Sequence, residues 1–244
     1  MDEPDGVGAA VERLYEVFSS YPLREVTDVC WCCHTEEQER AVHAAPLRVL
    51  SPEQLEAFAL DALYTWGDVA DLKHFVPRLL EIVAGPGFPA GVPEREWVVD
   101  ALNRAGWARW PSDQHQAVAE FLWAWWQREL PMLPDEYDRE RSFVAITVAV
   151  EDLTPYLRLW AASSAPAAAV RYARFFTGEA SARASGGKRS YLWLSERPSQ
   201  ERQVADWLEA ERGHFQPRLE QLLGSESHAD YAPLLTEALS ALRM

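Results

Sequence analysis

The chain has no uncharged stretch longer than twelve residues, the longest being Ile82 to Pro93 and Leu159 to Val170. A membrane-spanning helix needs about 20 apolar residues, so no transmembrane helix is expected. The acidic start, Met1-Asp2-Glu3-Pro4-Asp5, lacks the basic and apolar regions of a secretory signal, and a cytoplasmic location is expected. Cysteine is scarce: three residues in 244. All three fall within Cys30-Trp31-Cys32-Cys33, too few and too close for a disulfide framework and in keeping with a reducing compartment. Lysine is scarcer still, since Lys73 and Lys188 are the only two among 23 basic residues. Against those stand 38 acidic residues, and the net charge of −15 repels phosphate backbones and disfavours general nucleic-acid binding. Catalytic signatures are missing too, with no G-x-S-x-G, P-loop, dinucleotide glycine fingerprint or H-E-x-x-H in the sequence.

What is present is helical periodicity. Val11, Leu14, Tyr15 and Phe18 form a first apolar stripe ending near Pro22. Ser51-Pro52-Glu53-Gln54 offers an N-cap, a proline at the first helical position and a capping-box partner. The helix it opens is expected to carry Leu55, Phe58, Ala59, Ala62, Leu63 and Trp66 on one face and to stop at Gly67. A second helix follows with Val69, Leu72, Val76, Leu79, Leu80 and Val83, in which Pro77 should kink the helix or mark its true start. Phe143 to Val150 is the one strongly β-branched run. A lone strand would leave its backbone unpaired, so this run also reads as helix. Ala184 to Ser190, with Gly186 and Gly187, is the most loop-like interior segment. The expectation is an all-α fold of stacked antiparallel helical hairpins, either HEAT-like (an α-solenoid) or a compact irregular helical domain. It would form a single helical domain over residues 1–244, with a sub-boundary near 131–135.

The cysteines are the most specific chemical signal. Cys30 and Cys33 have the C-x-x-C spacing that lets two thiolates share one zinc ion. Cys32, His34 or His43 could complete a tetrahedral set, His43 on a short helix that Thr35 caps. Such a zinc would be structural, a staple between the loop after the first helix and that short helix. The thiol alternative is redox or nucleophilic chemistry by a cysteine just ahead of a helix N-terminus. The plain alternative is three thiols packed beside Trp31 as small hydrophobes.

Other groupings are less specific. Asp71 and His74, like Glu211 and His214, share the three-residue spacing used by di-iron bundles. Asp71, His74, Arg78 and Glu81 fall on one polar helical face, a candidate interaction surface that should point to solvent. Trp123 lies well off the apolar stripe of Val118, Phe121, Leu122 and Trp125, as for a helix between two neighbours or one lining a partner groove. Between Thr154 and Ser190 six basic residues, Arg158, Arg171, Arg174, Arg183, Lys188 and Arg189, face only Glu179.

The segments Tyr21-Pro22-Leu23, Cys30-Trp31-Cys32-Cys33 and Thr65-Trp66-Gly67-Asp68, continuing to His74-Phe75-Val76-Pro77-Arg78, resemble a family of uncharacterised bacterial helical proteins. The resemblance implies a helical fold and no particular catalytic residue. The functional expectation is a cytoplasmic interaction, scaffold or regulatory protein that binds another protein, a basic one given the acidic surface. The alternative is a metal- or thiol-dependent enzyme centred on Cys30 to Cys33.

Overall fold

The computed structural model describes residues 6–25, 27–134, 141–184 and 197–243. Among these residues the chain is all-α with compact helix packing, twelve α-helices and no sheet. No helix among them is long and apolar enough to cross a membrane. The chain divides into two units, Met1–Trp125 and Trp126–Met244.

The first unit contains α1 (Gly6–Val17), α2 (Glu36–Val42), α3 (Pro52–Asp61), α4 (Val69–Ala84), α5 (Arg95–Arg104) and most of α6 (Ser112–Glu129), with short 3-10 turns between several of them. Its centre is α4, on which α1, α3 and α5 pack, while α2 packs on α3. Side chains set where these helices begin. Ser51 accepts from the Gln54 backbone N–H while the Gln54 side chain accepts from the Ser51 N–H, closing the box written in the sequence. Asp68 and Asp71 do the same for α4, and Thr35 and Gln38 for α2. The stripe of Val11, Leu14, Tyr15 and Phe18 is buried as its periodicity requires.

Two features depart from the sequence reading. Helix α3 does not run on to Trp66. It ends at Asp61, and the chain turns through Leu63, whose φ is +67°, with the Leu63 N–H bonded to the Trp66 carbonyl. The turn frees the Trp66 backbone to pair with Val29, a long-range contact that no local period encodes. Helix α4 begins at Val69 under its Asp68 cap and contains Pro77 internally. It is buried nearly all round, Asp71 and Lys73 included, which is the mark of a central helix rather than a surface one.

The second unit contains α7 (Arg141–Ala149), α8 (Thr154–Ala162), α9 (Pro166–Ala184), α10 (Pro198–Ala210), α11 (Arg212–Leu223) and α12 (Ala232–Leu242). Helices α9, α11 and α12 pack on one another, and α10 joins α8, α9 and α11. The β-branched run from Phe143 is helical through Ala149 and buried on every side, so packing overrides its β propensity. Arg171, read as part of a basic stretch, is instead buried, donating to the carbonyls of Glu129 and Met132. The Arg174 guanidinium donates to the Pro134 carbonyl. Of the rest of that stretch, the side chain of Arg183, and Lys188 and Arg189 with the rest of 185–190, lie outside the described residues.

Candidate metal centre

The cysteines sit on the segment between α1 and α2, and that segment is fastened to the α3–α4 turn at several points. The Cys30 N–H donates to the Thr65 carbonyl at 2.8 Å, and the Gly67 N–H donates to the Asp28 carbonyl at 2.6 Å. Between these bonds Val29 and Trp66 form an antiparallel bridge. Gly67 has φ +72°, and an added Cβ would lie 3.0 Å from that of Asp71 and 3.3 Å from the Phe58 ring, so glycine is required where the strand-like contact turns into α4.

A buried polar chain reinforces the join. The Trp66 indole N–H donates to the Thr27 hydroxyl. Thr27 donates its backbone N–H to Glu39 at 2.9 Å and its hydroxyl to the other carboxylate oxygen at 2.7 Å. Glu39 is buried and also accepts from His43 Nε2 at 3.1 Å. Further out, Arg24 pairs with Asp68 and, at 3.3 Å, with Asp71. Sequence reasoning passed over Thr27, Glu39 and Thr65. Their roles come from partners 12 to 39 residues away, and only Gly67 hinted at a turn there.

On this base the four-residue loop folds back, with the N–H groups of Cys33 and His34 both donating to the Cys30 carbonyl, at 2.9 and 3.1 Å. The turn gathers the thiols. Cys30 Sγ and Cys32 Sγ lie 2.8 Å apart, and Cys32 Sγ and Cys33 Sγ 3.7 Å apart. All three sulfurs fall within 4.8 Å of one another, close enough to hold one metal ion. At a Zn–S length near 2.3 Å, tetrahedral thiolates stand about 3.8 Å apart. The Cys32–Cys33 pair already has that spacing, and Cys30 and Cys32 would separate by about 1 Å. Cys32 and Cys33 are exposed and Cys30 half-buried, so the thiols are not core packing. Trp31, between them, is 53% exposed.

Hydrogen bonds from the Cys32 and Cys33 side chains and backbone hold the Cys30 thiol below its ordinary pKa, and the same sulfur contacts with Cys32 and Cys30 push Cys33 up to about 11. The loop therefore eases proton loss at Cys30 relative to Cys33. Chemically it can do two things: ligate a soft ion, or react as a nucleophile.

The histidines proposed from the sequence go elsewhere. His34 is buried with Nε2 2.8 Å from the Thr65 hydroxyl and its ring against Trp66, and His43 serves Glu39. Among the described residues neither joins the thiols, which form a group of three.

The polar face of α4 is also engaged inward, contrary to a solvent-pointing surface. Asp71 is buried as the capping partner of Asp68, and burial raises its pKa. His74 Nδ1 donates to the Tyr21 carbonyl at 2.7 Å. Arg78 donates to the Leu50 carbonyl and to Glu81, which also accepts from the Tyr15 hydroxyl at 2.8 Å. The physical reason is that the chain after α1 and before α3 crosses this face and needs partners for its backbone groups. Trp123 is half-buried in α6. His214 Nε2 donates to the Ala161 carbonyl, and among the described residues no carboxylate–histidine cluster of the di-iron kind is present.

A groove of about 540 Å³ in the second unit runs between α8 and α10, with Leu157, Ala161 and Trp207 in its apolar part and Arg158, Asp206 and Glu211 among its polar lining. Of the residues singled out in the sequence, Arg158 and Glu211 line it, and none of the thiol or α4 candidates does. No protein-family model matches the chain, and neither a curated protein nor a solved structure matches it.

Proposed function

We propose that the protein binds a thiophilic metal ion through Cys30, Cys32 and Cys33, with zinc as the divalent candidate. The observation that carries this reading is the convergence of three sulfurs within 4.8 Å on a loop pinned by backbone bonds to Thr65 and Gly67. A pinned loop loses little freedom on taking up an ion, which favours binding. Elemental analysis of untagged protein purified under reducing, oxygen-free conditions tests it. About one thiophilic metal equivalent per chain is expected, falling to background in the triple Cys30→Ser, Cys32→Ser, Cys33→Ser variant. Metal-free protein that also refuses added Zn²⁺, Cd²⁺ and Cu⁺ would end this reading.

A second reading, an interaction protein for a basic partner, has its own support in the exposed Trp31 ring, since aromatic side chains anchor interfaces, and in the net charge of −15. A cross-linker attached at Cys32 in living cells should capture one reproducible protein, and Trp31→Ala should abolish the capture. Capture that is unchanged in the Trp31 variant would remove this reading.

A further inference from the structure

The geometry points to a more specific occupant than a structural zinc: we propose that the loop is an exchangeable three-coordinate site for monovalent copper. This rests on the metal-binding reading above and deepens it.

Ligand number decides first. Structural zinc sites are closed by four protein ligands, whereas among the described residues no histidine or carboxylate joins Cys30, Cys32 and Cys33. The two nearest histidines in sequence bond the Thr65 hydroxyl and the Glu39 carboxylate through Nε2, the His34 Nδ1 is buried without a hydrogen-bond partner, and neither ring belongs to the group the three sulfurs form. Donor softness decides next. Three sulfurs and no nitrogen or oxygen make a set that selects a soft ion, and Cu⁺ is the soft member among common cellular metals.

The fastening of the loop separates a staple from a carrier. Protein hydrogen bonds to Thr65, Gly67 and Glu39 already hold the segment, so no ion is needed to join it to the rest of the unit. All three donors also lie within four consecutive residues, so an unfolded chain can gather them too, less readily than the pinned loop does. An ion that binds both states stabilises the fold little. Exposure of Cys32 and Cys33 leaves the ion open to attack by an incoming thiolate, which is how it would be handed on. Loading releases the thiol protons to solvent and leaves copper in the +1 state throughout.

The test uses full-length, fully reduced protein without oxygen, titrated against Cu⁺ held by a chromophoric chelator. One Cu⁺ per chain should leave the chelator, near-ultraviolet sulfur-to-copper absorption should appear, and X-ray absorption should show three sulfur neighbours. Equimolar Zn²⁺ should not displace it, excess glutathione should remove it, and each single Cys→Ser change should weaken binding at least about tenfold. The melting temperature should rise by no more than about 3 °C on loading. Tight zinc with weaker copper, a four-ligand protein site, copper that resists glutathione, or a larger rise in melting temperature would overturn this inference while leaving metal binding intact. Failure of every ion to bind, or equal copper uptake by the triple serine variant, would overturn both.

Discussion

In the first unit, helices α2, α3 and α4 each open on a reciprocal side-chain box, at Thr35, Ser51 and Asp68. In the second, the N-cap residues of α8, α10, α11 and α12 make no side-chain cap bond, though Asp152 accepts from the first N–H of α8. The second unit relies instead on rings. Trp126, Phe143, Trp160 and Phe175 meet at centroid distances of 5.0 to 5.5 Å, and Tyr172 stacks on Phe215 at 4.1 Å. Their polar ends are tied to backbone carbonyls, Trp160 to Ala168, Trp126 to Tyr156 and Tyr172 to Leu208. Ring packing is strong but holds no exposed chemistry in place. Directional polar bonds fix a loop in one geometry, and the thiol cluster lies in the unit that has them.

The largest expected effect tests the ring half of that contrast. Trp160 is fully buried and touches Trp126, Phe143, Phe175 and Trp207. Trp160→Ala should cost about 3–5 kcal/mol in urea unfolding, with near-ultraviolet circular dichroism losing much of its aromatic signal. A loss below about 1 kcal/mol, within the range of ordinary substitutions, would mean that the cluster is not what holds the second unit.

Next in size is Glu39→Ala. It strips the acceptor from the Thr27 N–H and hydroxyl and from His43, and leaving such buried donors unmet costs about 1–3 kcal/mol. Because Thr27 anchors the loop through Trp66, the variant should also blur the difference in reactivity between Cys30 and Cys33, with alkylation of the three thiols becoming faster and more alike. Destabilisation with unchanged alkylation would show that the polar chain supports the fold without positioning the thiols.

Ser51→Ala should cost about 1 kcal/mol through loss of the α3 cap, with alkylation of the cysteines unaffected, since the cap is not part of the anchoring chain. A cost near zero would show that α3 is held without its cap and would erase the contrast at that helix.

What the sequence disclosed follows the same divide. Ser51, Gln54 and Thr35 were readable because a capping box spans three residues, and the stripe from Val11 to Phe18 because a helix repeats every 3.6. The helical state of Phe143 to Ala149 was readable by elimination, a lone strand having no partner. The turn at Leu63 was not, because it exists to bring Trp66 to Val29, and Thr65, Glu39 and Thr27 matter only through that tertiary join. Of the candidate metal site the three cysteines were legible from their spacing. That Nε2 of His34 and of His43 bonds elsewhere was not, because it depends on Thr65 and on a carboxylate at a buried helical position.

The smallest effect concerns His74, which ties α4 to the end of α1 through the Tyr21 carbonyl. Burial lowers its pKa below the ordinary histidine value, opposed by the Tyr21 bond and by Asp71, while His43 adds to the lowering. The unfolded chain binds the proton as pH falls through about 6.5, and the folded chain resists it. Protons are then held more readily by the unfolded state, so stability contributed at this position is complete above that pH and falls as pH drops toward the folded pKa. His74→Asn keeps a side-chain N–H for the Tyr21 carbonyl but cannot titrate. Across the same interval the urea midpoint of the unaltered protein should therefore fall more steeply with acidification than that of the variant, with the two curves parallel above neutrality. Parallel curves throughout would mean that the proton is accommodated at no cost, and that this contact, unlike the Thr27–Glu39 chain, is not part of the unit's rigid polar frame.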